Sequence, residues 1–396
     1  MSAVQVSFLF LDLALIVTLA KLAGGFAKRL KQPPVLGEIL VGILVGPTLL
    51  GGLAVQAVFP LDVRPLLEGL ANVGIALFMF SVGVELDHRA LKGKGRLAVS
   101  VSLGSIALPF ALGGAFAFFL SQDSPGDDRL AFVLFFGVAM SVTAFPVLAR
   151  IVSDRALSNT RVGRMALTCA AADDLLAWLL LAFVVALSGG KANVWLLLLG
   201  PLYLATMIWI VRPILGRIIM IDRTIGTLLP VLLAGMLLSG AVTELIGLHF
   251  IFGAFLFGAV VPRKETAPIR AAVVERMDIL NSVLLLPVFF VIAGLEVDLR
   301  TLKLSDLLIL ALVLLIAVIG KFAGAYGAAR LNRLPVRESA TIGILMNARG
   351  LTELIVLTIG LQLGVLDTRL YSVMVVMAIV TTAMTGPLLR CVYLRR

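Results

Sequence analysis

Long apolar runs separated by short polar segments dominate the pattern of this 396-residue chain. A run of about 17 to 25 apolar residues is long enough to cross a bilayer as a helix. Runs of this kind cover about 5–28, 34–51, 66–86, 97–120, 129–150, 162–187, 193–216, 224–246, 248–262, 276–296, 304–330, 338–362 and 369–391. The pattern therefore predicts an all-α integral membrane protein with about 13 transmembrane helices.

Basic residues divide unevenly between the alternate loops that this pattern predicts. Of the 33 Lys and Arg residues, 24 fall in one set of loops, 6 in the other set and 3 inside apolar runs. Because cytoplasmic loops carry the excess of positive charge, the N-terminus is predicted to lie outside and the C-terminus in the cytoplasm. The net charge of +10 is thus interpreted as a topology signal, and we expect a lipid bilayer, not nucleic acid, as the partner.

A ten-residue motif occurs twice, at the ends of the third and tenth runs. Residues 78–87 are FMFSVGVELD and residues 289–298 are FFVIAGLEVD. The two runs are seven apart, an odd number, so the two copies cross the membrane in opposite directions. The alternative is that the similarity between these apolar segments is due to chance. Inverted-topology repeats are typical of secondary transporters. Glu85 and Glu296, which match in the two copies, are candidate residues for the mouths of a funnel.

This repeat divides the chain, which is otherwise a single transmembrane unit over 1–396. The first repeat is predicted at 1–187, a linker helix at 193–223 and the inverted second repeat at 224–396.

Two adjacent carboxylates, Asp173 and Asp174, lie near the middle of the sixth run. An ionisable residue deep in a spanning helix costs about 3 kcal/mol or more, which favours a place that water, protons or a cation can reach. Two carboxylates this close resist being charged together, so one of them can alternate between a proton and a cation. Their side chains point about 100° apart on a helix, which predicts different roles. A structural hydrogen-bonded pair is the alternative.

A basic partner is available in the eleventh run, where Lys321 lies about midway along the apolar stretch. A lysine near a helix end can extend its ammonium group to the interface, but from the centre the distance is long. We therefore expect Lys321 to pair with Asp173 or Asp174. A lysine that reaches the interface or only packs between helices is the alternative.

Two further runs combine polar residues with helix-breaking residues in mid-membrane. These residues are Ser141, Thr143 and Pro146 in the fifth run, and Asn347, Arg349 and Glu353 in the twelfth. The runs are seven apart and so are mates in the inverted repeat. Broken helices expose helix ends whose dipoles can face an ion. We expect Arg349 to neutralise exposed carbonyl ends and to pair with Glu353, while a simple proline kink remains the alternative for the fifth run.

Enzymatic chemistry has little support in the sequence. It contains two His and two Cys residues, and it has no Gly-rich nucleotide loop, zinc-protease motif or CxxC pair. We expect no enzyme activity and no bound cofactor.

The motifs together resemble those of the cation:proton antiporter superfamily. The similarity is to its second family, which includes bacterial sodium/proton antiporters and glutathione-gated potassium efflux proteins. It is carried by residues 37–47, 143–150, 173–174, 294–298, 320–322 and 347–353, in matching order over nearly the whole chain.

The resemblance implies a sodium/proton antiporter fold with crossed broken helices, a homodimer and a bacterial inner membrane location. It implies a mobile core at about 66–187 and 276–362, with the remaining helices serving dimerisation or scaffolding. It also implies that Asp174 carries the ion and the proton, and that Asp173 pairs with Lys321 when no cation is bound. Many relatives have an aspartate where this chain has Ala144 and Phe145. No regulatory domain follows before residue 396, so such gating is expected to need a separate subunit.

The leading hypothesis is an antiporter that exchanges Na⁺, or K⁺ as the second choice, for protons by an elevator-type movement. The expected cation ligands are oxygens of Asp174, Asp173, Thr143 and Ser141. The alternatives are a potassium efflux pore or channel subunit gated by a separate partner, and an organic-anion symporter. The anion of such a symporter would lie poorly beside two carboxylates.

Overall fold

A computed structural model describes residues 2–49, 52–85, 95–121, 129–155, 157, 160–188, 199–222, 224–246, 248–262 and 267–394. These residues form helices joined by turns and short connections, and no strand occurs among them. The prediction of an all-α protein is confirmed.

The described residues of the first half of the chain form eight helices. They are α1 (Ala3–Arg29), α2 (Pro34–Val45), α3 (Gly52–Val58), α4 (Arg64–Glu85), α5 (Gly95–Leu120), α6 (Arg129–Ser141), α7 (Phe145–Asp154) and α8 (Arg161–Ser188).

The second half contains ten described helices. They are α9 (Leu199–Thr206), α10 (Arg212–Ile221), α11 (Ile225–Leu245), α12 (Phe250–Val260), α13 (Ala267–Leu280), α14 (Leu286–Leu295), α15 (Leu304–Leu331), α16 (Val336–Met346), α17 (Leu351–Gln362) and α18 (Thr368–Leu389). Short π-helical turns at Met207–Val211 and Asn281–Leu285 join α9 to α10 and α13 to α14, and another at Arg390–Leu394 extends α18. A 3₁₀ turn lies at Leu299–Thr301. The predicted linker helix corresponds to α9 and α10, but its residues 193–198 and 223 lie outside the described residues.

Most of these helices are long and apolar enough to cross a membrane. Ten stretches of the described chain meet this criterion, or eleven if α16 and α17 count as one bent span. The shorter apolar helices α2 and α12 fall on two further predicted runs. The protein is an integral membrane protein, and the number of 13 spans stays a prediction.

Two of the spans are interrupted where the sequence predicts broken helices. The helical pattern stops at residues 142–144, between α6 and α7, and at residues 347–350, between α16 and α17. The second pair bends by 42° at its break. Pro146 lies in the first turn of α7, where its missing N–H leaves no intrahelical bond unmade. The backbone N–H of Ala144 donates to the Ala348 carbonyl at 3.0 Å, so the two breaks lie against each other.

The described chain forms two compact units. One contains residues 1–17, 59–86 and 185–292, and the other contains 18–58, 87–184 and 293–396. The predicted division into core and scaffold helices stays a prediction.

The repeated motif makes a similar close contact in each unit. In the first unit, Gly83 of α4 lies so close to α12 that a Cβ would collide with the Phe255 carbonyl. In the second unit, a Cβ on Gly294 of α14 would likewise collide with the Ile39 carbonyl of α2. Helices α4 and α14 lie on the third and tenth predicted runs, and α2 and α12 lie on the second and ninth, so the members of each pair are seven runs apart. If each helix of the first contact is replaced by its counterpart seven runs away, the second contact results. An inverted repeat is expected to produce this relation.

Candidate functional site

The two adjacent aspartates lie in the middle of α8, within the second unit. The Asp173 side chain is fully buried and Asp174 is 3% exposed. A buried carboxylate needs hydrogen bonds or a counterion to offset its lost hydration. The surroundings of the two residues differ in this respect.

Asp173 has a partner at each carboxylate oxygen. The Lys321 ammonium lies 3.0 Å from Oδ2, and both side chains are fully buried. The Ser105 hydroxyl donates to Oδ1 at 2.6 Å. Because a buried ion pair is tolerated only with good geometry and additional hydrogen bonds, this carboxylate is well placed as the fixed partner of Lys321.

The same ammonium also reaches the first helix break. Lys321 Nζ donates to Thr143 Oγ1 at 2.6 Å, and Thr143 Oγ1 in turn donates to the Met346 carbonyl at 3.0 Å. Thr143 therefore connects Lys321 of α15 to the last turn of α16. The side chain links the ion pair to both broken spans.

Asp174 has no such partners. The backbone N–H of Phe145, at the start of α7, lies near its carboxylate. Among the described residues, however, neither carboxylate oxygen has a partner in hydrogen-bond geometry. A carboxylate this deeply buried is costly when it is charged and alone. A proton or a cation would remove that cost, which makes Asp174 the candidate binding group.

Arg349 is fully buried in the second helix break. One of its terminal nitrogens donates to the Ala139 carbonyl at 3.1 Å and to Glu353 Oε1 at 2.8 Å, and the other donates to the Met140 carbonyl at 2.6 Å. Ala139 and Met140 belong to the last turn of α6. The guanidinium group thus binds the carbonyl end of the first broken helix, where the helix dipole favours positive charge.

The other predicted crossover residues have different surroundings. The Ser141 hydroxyl donates to the Val138 carbonyl of its own helix at 2.8 Å. Asn347 Oδ1 and Glu353 Oε2 are buried, and neither has a hydrogen-bond partner among the described residues. Residues 141 and 143 both lie at the break, but Thr143 is the one of the two that contacts Lys321.

The two funnel candidates are not part of this cluster. Glu85 is the last residue of α4, and its side chain lies outside the described residues. Glu296 follows the end of α14 and is half buried. The structure brings together Asp173, Thr143 and Lys321, and places Arg349 and Glu353 at the adjoining break.

Ser105 is the residue of this cluster that sequence reasoning misses. Its helix, α5, packs directly on α15 because Gly104 and Gly324 face each other, each lying where a Cβ would overlap the other's carbonyl oxygen. Small residues permit such close approach of membrane helices. The sequence did contain a signal for this contact, namely Gly104 next to Ser105 in α5, and Gly320 and Gly324 in α15. These residues point to the site only once it is known that α5 packs on α15.

Comparison with known protein families gives a match over nearly the whole chain. The model of the family described as "Sodium/hydrogen exchanger, transmembrane" matches residues 14–393.

Individual proteins are similar over the same length. The Na(+)/H(+) antiporter NhaS4 of Synechocystis is 38% identical over 399 residues, and the match covers 96% of each chain. Cation/H(+) antiporter 19 of Arabidopsis thaliana is 38% identical over 397 residues, covering 97% of this chain and 49% of that protein. This chain therefore spans about half the length of the Arabidopsis relatives that it matches.

The fold also has a counterpart among solved structures. The sodium proton antiporter MjNhaP1 from Methanocaldococcus jannaschii aligns with a TM-score of 0.71, covering 98% of this chain and 97% of the other. The two sequences are 16% identical, so this likeness concerns the fold.

Proposed function

Since this chain belongs to the sodium/hydrogen exchanger family, we propose that it is a transporter, not an enzyme, and that it exchanges a monovalent cation for protons. The observation that supports this most directly is Asp174, a buried carboxylate with both oxygens unpartnered among the described residues. Such a group can hold a proton or a cation but not both at once. Their mutual exclusion at one carboxylate is sufficient to couple the two flows.

The neighbouring ion pair sets a condition for cation binding. Asp173 Oδ2 and Thr143 Oγ1, two of the expected ligands, are both bound by the Lys321 ammonium. A cation that uses these oxygens must displace the ammonium, since both carry positive charge. Cation binding is therefore coupled to release of Lys321. If Lys321 gives up a proton on release, exchange moves net charge; if it stays charged, exchange is electroneutral.

Na⁺ is the favoured cation, with K⁺ as the second choice. Carboxylate, hydroxyl and carbonyl oxygens suit hard cations, and the oxygen type alone does not distinguish the two ions. The preference is supported by the relative that is named as a Na(+)/H(+) antiporter and matches over 96% of both chains.

The wider setting follows from the family resemblance. The transport movement is an elevator-type slide of the core helices. The protein is a homodimer in a bacterial inner membrane, with its N-terminus outside and its C-terminus in the cytoplasm.

The test is cation-driven proton movement in proteoliposomes that carry an imposed pH gradient. The wild type is expected to dissipate the gradient on addition of Na⁺ and, less effectively, K⁺. The Asp174→Asn variant keeps the shape of the side chain but cannot exchange a proton for a cation, and it should lose this activity. Asp367→Asn is the matched control, since that carboxylate caps α18 at the surface. Cation flux that persists without proton coupling would instead indicate a pore, and full activity of Asp174→Asn would contradict the proposal.

A further inference from the structure

The Ser105 hydroxyl is the one neutral group that binds the Asp173 carboxylate in the described part of the site. Ser105 is fully buried, and its Oγ lies 2.6 Å from Asp173 Oδ1. We propose that Ser105 is a positioning residue, which holds Asp173 so that a single oxygen, Oδ2, is offered to Lys321 or to a cation. This inference rests on the exchange function proposed above.

The hydroxyl hydrogen has two acceptors within range. One is Asp173 Oδ1 at 2.6 Å, and the other is the Ser102 carbonyl, one turn earlier in α5, at 3.1 Å. A hydrogen bond from a hydroxyl to a charged carboxylate is shorter and about twice as strong as a bond to a neutral acceptor. The hydrogen is therefore directed at Asp173.

Holding Oδ1 restricts how Lys321 can bind. The torsion that turns a carboxylate about its Cβ–Cγ bond has broad, roughly two-fold preferences, so an unheld carboxylate turns easily. Without Ser105, the Asp173 carboxylate is free to turn and present both oxygens to the Lys321 ammonium. The ion pair would then be tighter, and the carboxylate would follow the ammonium when it moves. With Ser105 in place, Lys321 contacts Oδ2 alone at 3.0 Å.

The same bond matters after the ammonium has left. Oδ1 remains attached to α5 through Ser105, so Oδ2 keeps the position in which it bound the ammonium and is available to a cation. The close packing of Gly104 on Gly324 keeps α5 at the distance that a serine side chain can span. Ser105 thereby favours the cation-bound state over the state in which Asp173 is paired with Lys321.

The expected effect is a loss of apparent cation affinity at nearly constant maximal rate. In proteoliposomes, Ser105→Ala should raise the KM for Na⁺ about tenfold, since a hydrogen bond to a charged group has about this effect on an equilibrium constant. Ser105→Thr retains the hydroxyl and should restore a KM near that of the wild type.

Ser102→Ala is the matched control. Ser102 lies one turn away on the same helix and is equally buried, but its hydroxyl donates to the Cys169 carbonyl at 2.7 Å and not to a carboxylate. The substitution also keeps the Ser102 backbone carbonyl. Its KM for Na⁺ should stay at the wild-type value.

Three results would overturn the inference: an unchanged KM in Ser105→Ala, an equal rise in Ser102→Ala, or no recovery in Ser105→Thr. If Ser105→Ala does not fold, Ser105→Cys, which has a similar shape and a weak donor, takes its place in the same comparison. A wild type that exchanges no cation for protons would instead refute the exchange function itself. That result is distinguishable, because it appears before any variant is compared.

Discussion

At the scale of single residues, the main feature is the contrast between two neighbours on one helix. Asp173 has partners at both oxygens, whereas Asp174 has none in hydrogen-bond geometry among the described residues. Successive positions on a helix point about 100° apart, so one side chain faces α5 and α15 while the other faces the start of α7. Identical chemistry is thus divided between a paired carboxylate and an unpartnered one, which fits the proposed roles of counterion and exchanging group.

The buried ion pair predicts a strong thermodynamic coupling. Asp173→Asn leaves the Lys321 ammonium buried without a counterion, and breaking such a pair typically costs about 3–5 kcal/mol. Lys321→Met should be similarly costly, because it leaves the Asp173 carboxylate buried without its counterion. The double variant removes both charges and is expected to be less destabilised than the sum of the single variants. Thermal unfolding of the detergent-solubilised proteins measures this, and a destabilisation equal to the sum would show that the two residues are not coupled.

Sequence reasoning located the charged residues of the site better than the neutral ones. A carboxylate or an ammonium in an apolar run is conspicuous because its burial is costly, which is why Asp173, Asp174 and Lys321 were predicted as a group. The residue pattern alone left open whether Asp173 or Asp174 pairs with Lys321, and the family resemblance implied Asp173, which is the residue that Lys321 contacts. Ser105 was missed because a serine in a membrane helix commonly bonds its own backbone, as Ser141 does with Val138.

At the scale of secondary structure, the two helix breaks act as a joined pair. The Ala144 to Ala348 backbone bond and the Thr143 bond to Met346 connect them, and Arg349 binds the carbonyl end of α6. The breaks were predictable from proline, glycine and polar residues inside apolar runs. Their direct contact was not, because it depends on the packing of spans that are far apart in sequence. The π-helical turn between α13 and α14 likewise left no pattern in the sequence.

The glycine contact between α5 and α15 predicts a sharp difference between two substitutions on one helix. In Gly324→Ala the added methyl group would overlap the Gly104 carbonyl oxygen, whereas at Gly327 nothing lies within 4 Å of an added Cβ. Overpacking of this kind typically costs about 1–3 kcal/mol. Gly324→Ala should therefore lower the thermal stability and reduce exchange by separating Ser105 and Lys321 from each other. Gly327→Ala should leave both properties unchanged, and equal behaviour of the two variants would contradict the packing argument.

At the scale of the whole molecule, the apolar runs in the sequence predicted the position of nearly every apolar helix. The described helices fall on the predicted runs because a spanning segment must satisfy its backbone internally and face lipid with apolar side chains. Boundaries were less accurate, as α13 begins at Ala267 and the matching run was placed at about 276. Polar ends of helices that extend beyond the apolar stretch carry no hydropathy signal.

The predicted orientation can be checked by labelling engineered cysteines with a membrane-impermeant reagent. Thr224 and Thr301 are both exposed, and they lie in loops predicted on the cytoplasmic and the outer side. In a Cys391→Ser background, Thr301→Cys should be labelled in intact cells and Thr224→Cys only in inside-out vesicles, because the more basic loops stay in the cytoplasm. Buried Cys169 should remain unlabelled. The opposite pattern would reverse the topology.

The paired glycine contacts also bear on how the protein is made. Gly294 of α14 meets α2, and Gly83 of α4 meets α12, so each contact joins an early helix to a late one. A nascent polypeptide that has been synthesised only as far as α8 lacks α12 and α14, the late helix of each contact. Both contacts must therefore form after the second half has been synthesised, so this part of the helix packing is completed late in the assembly of the protein.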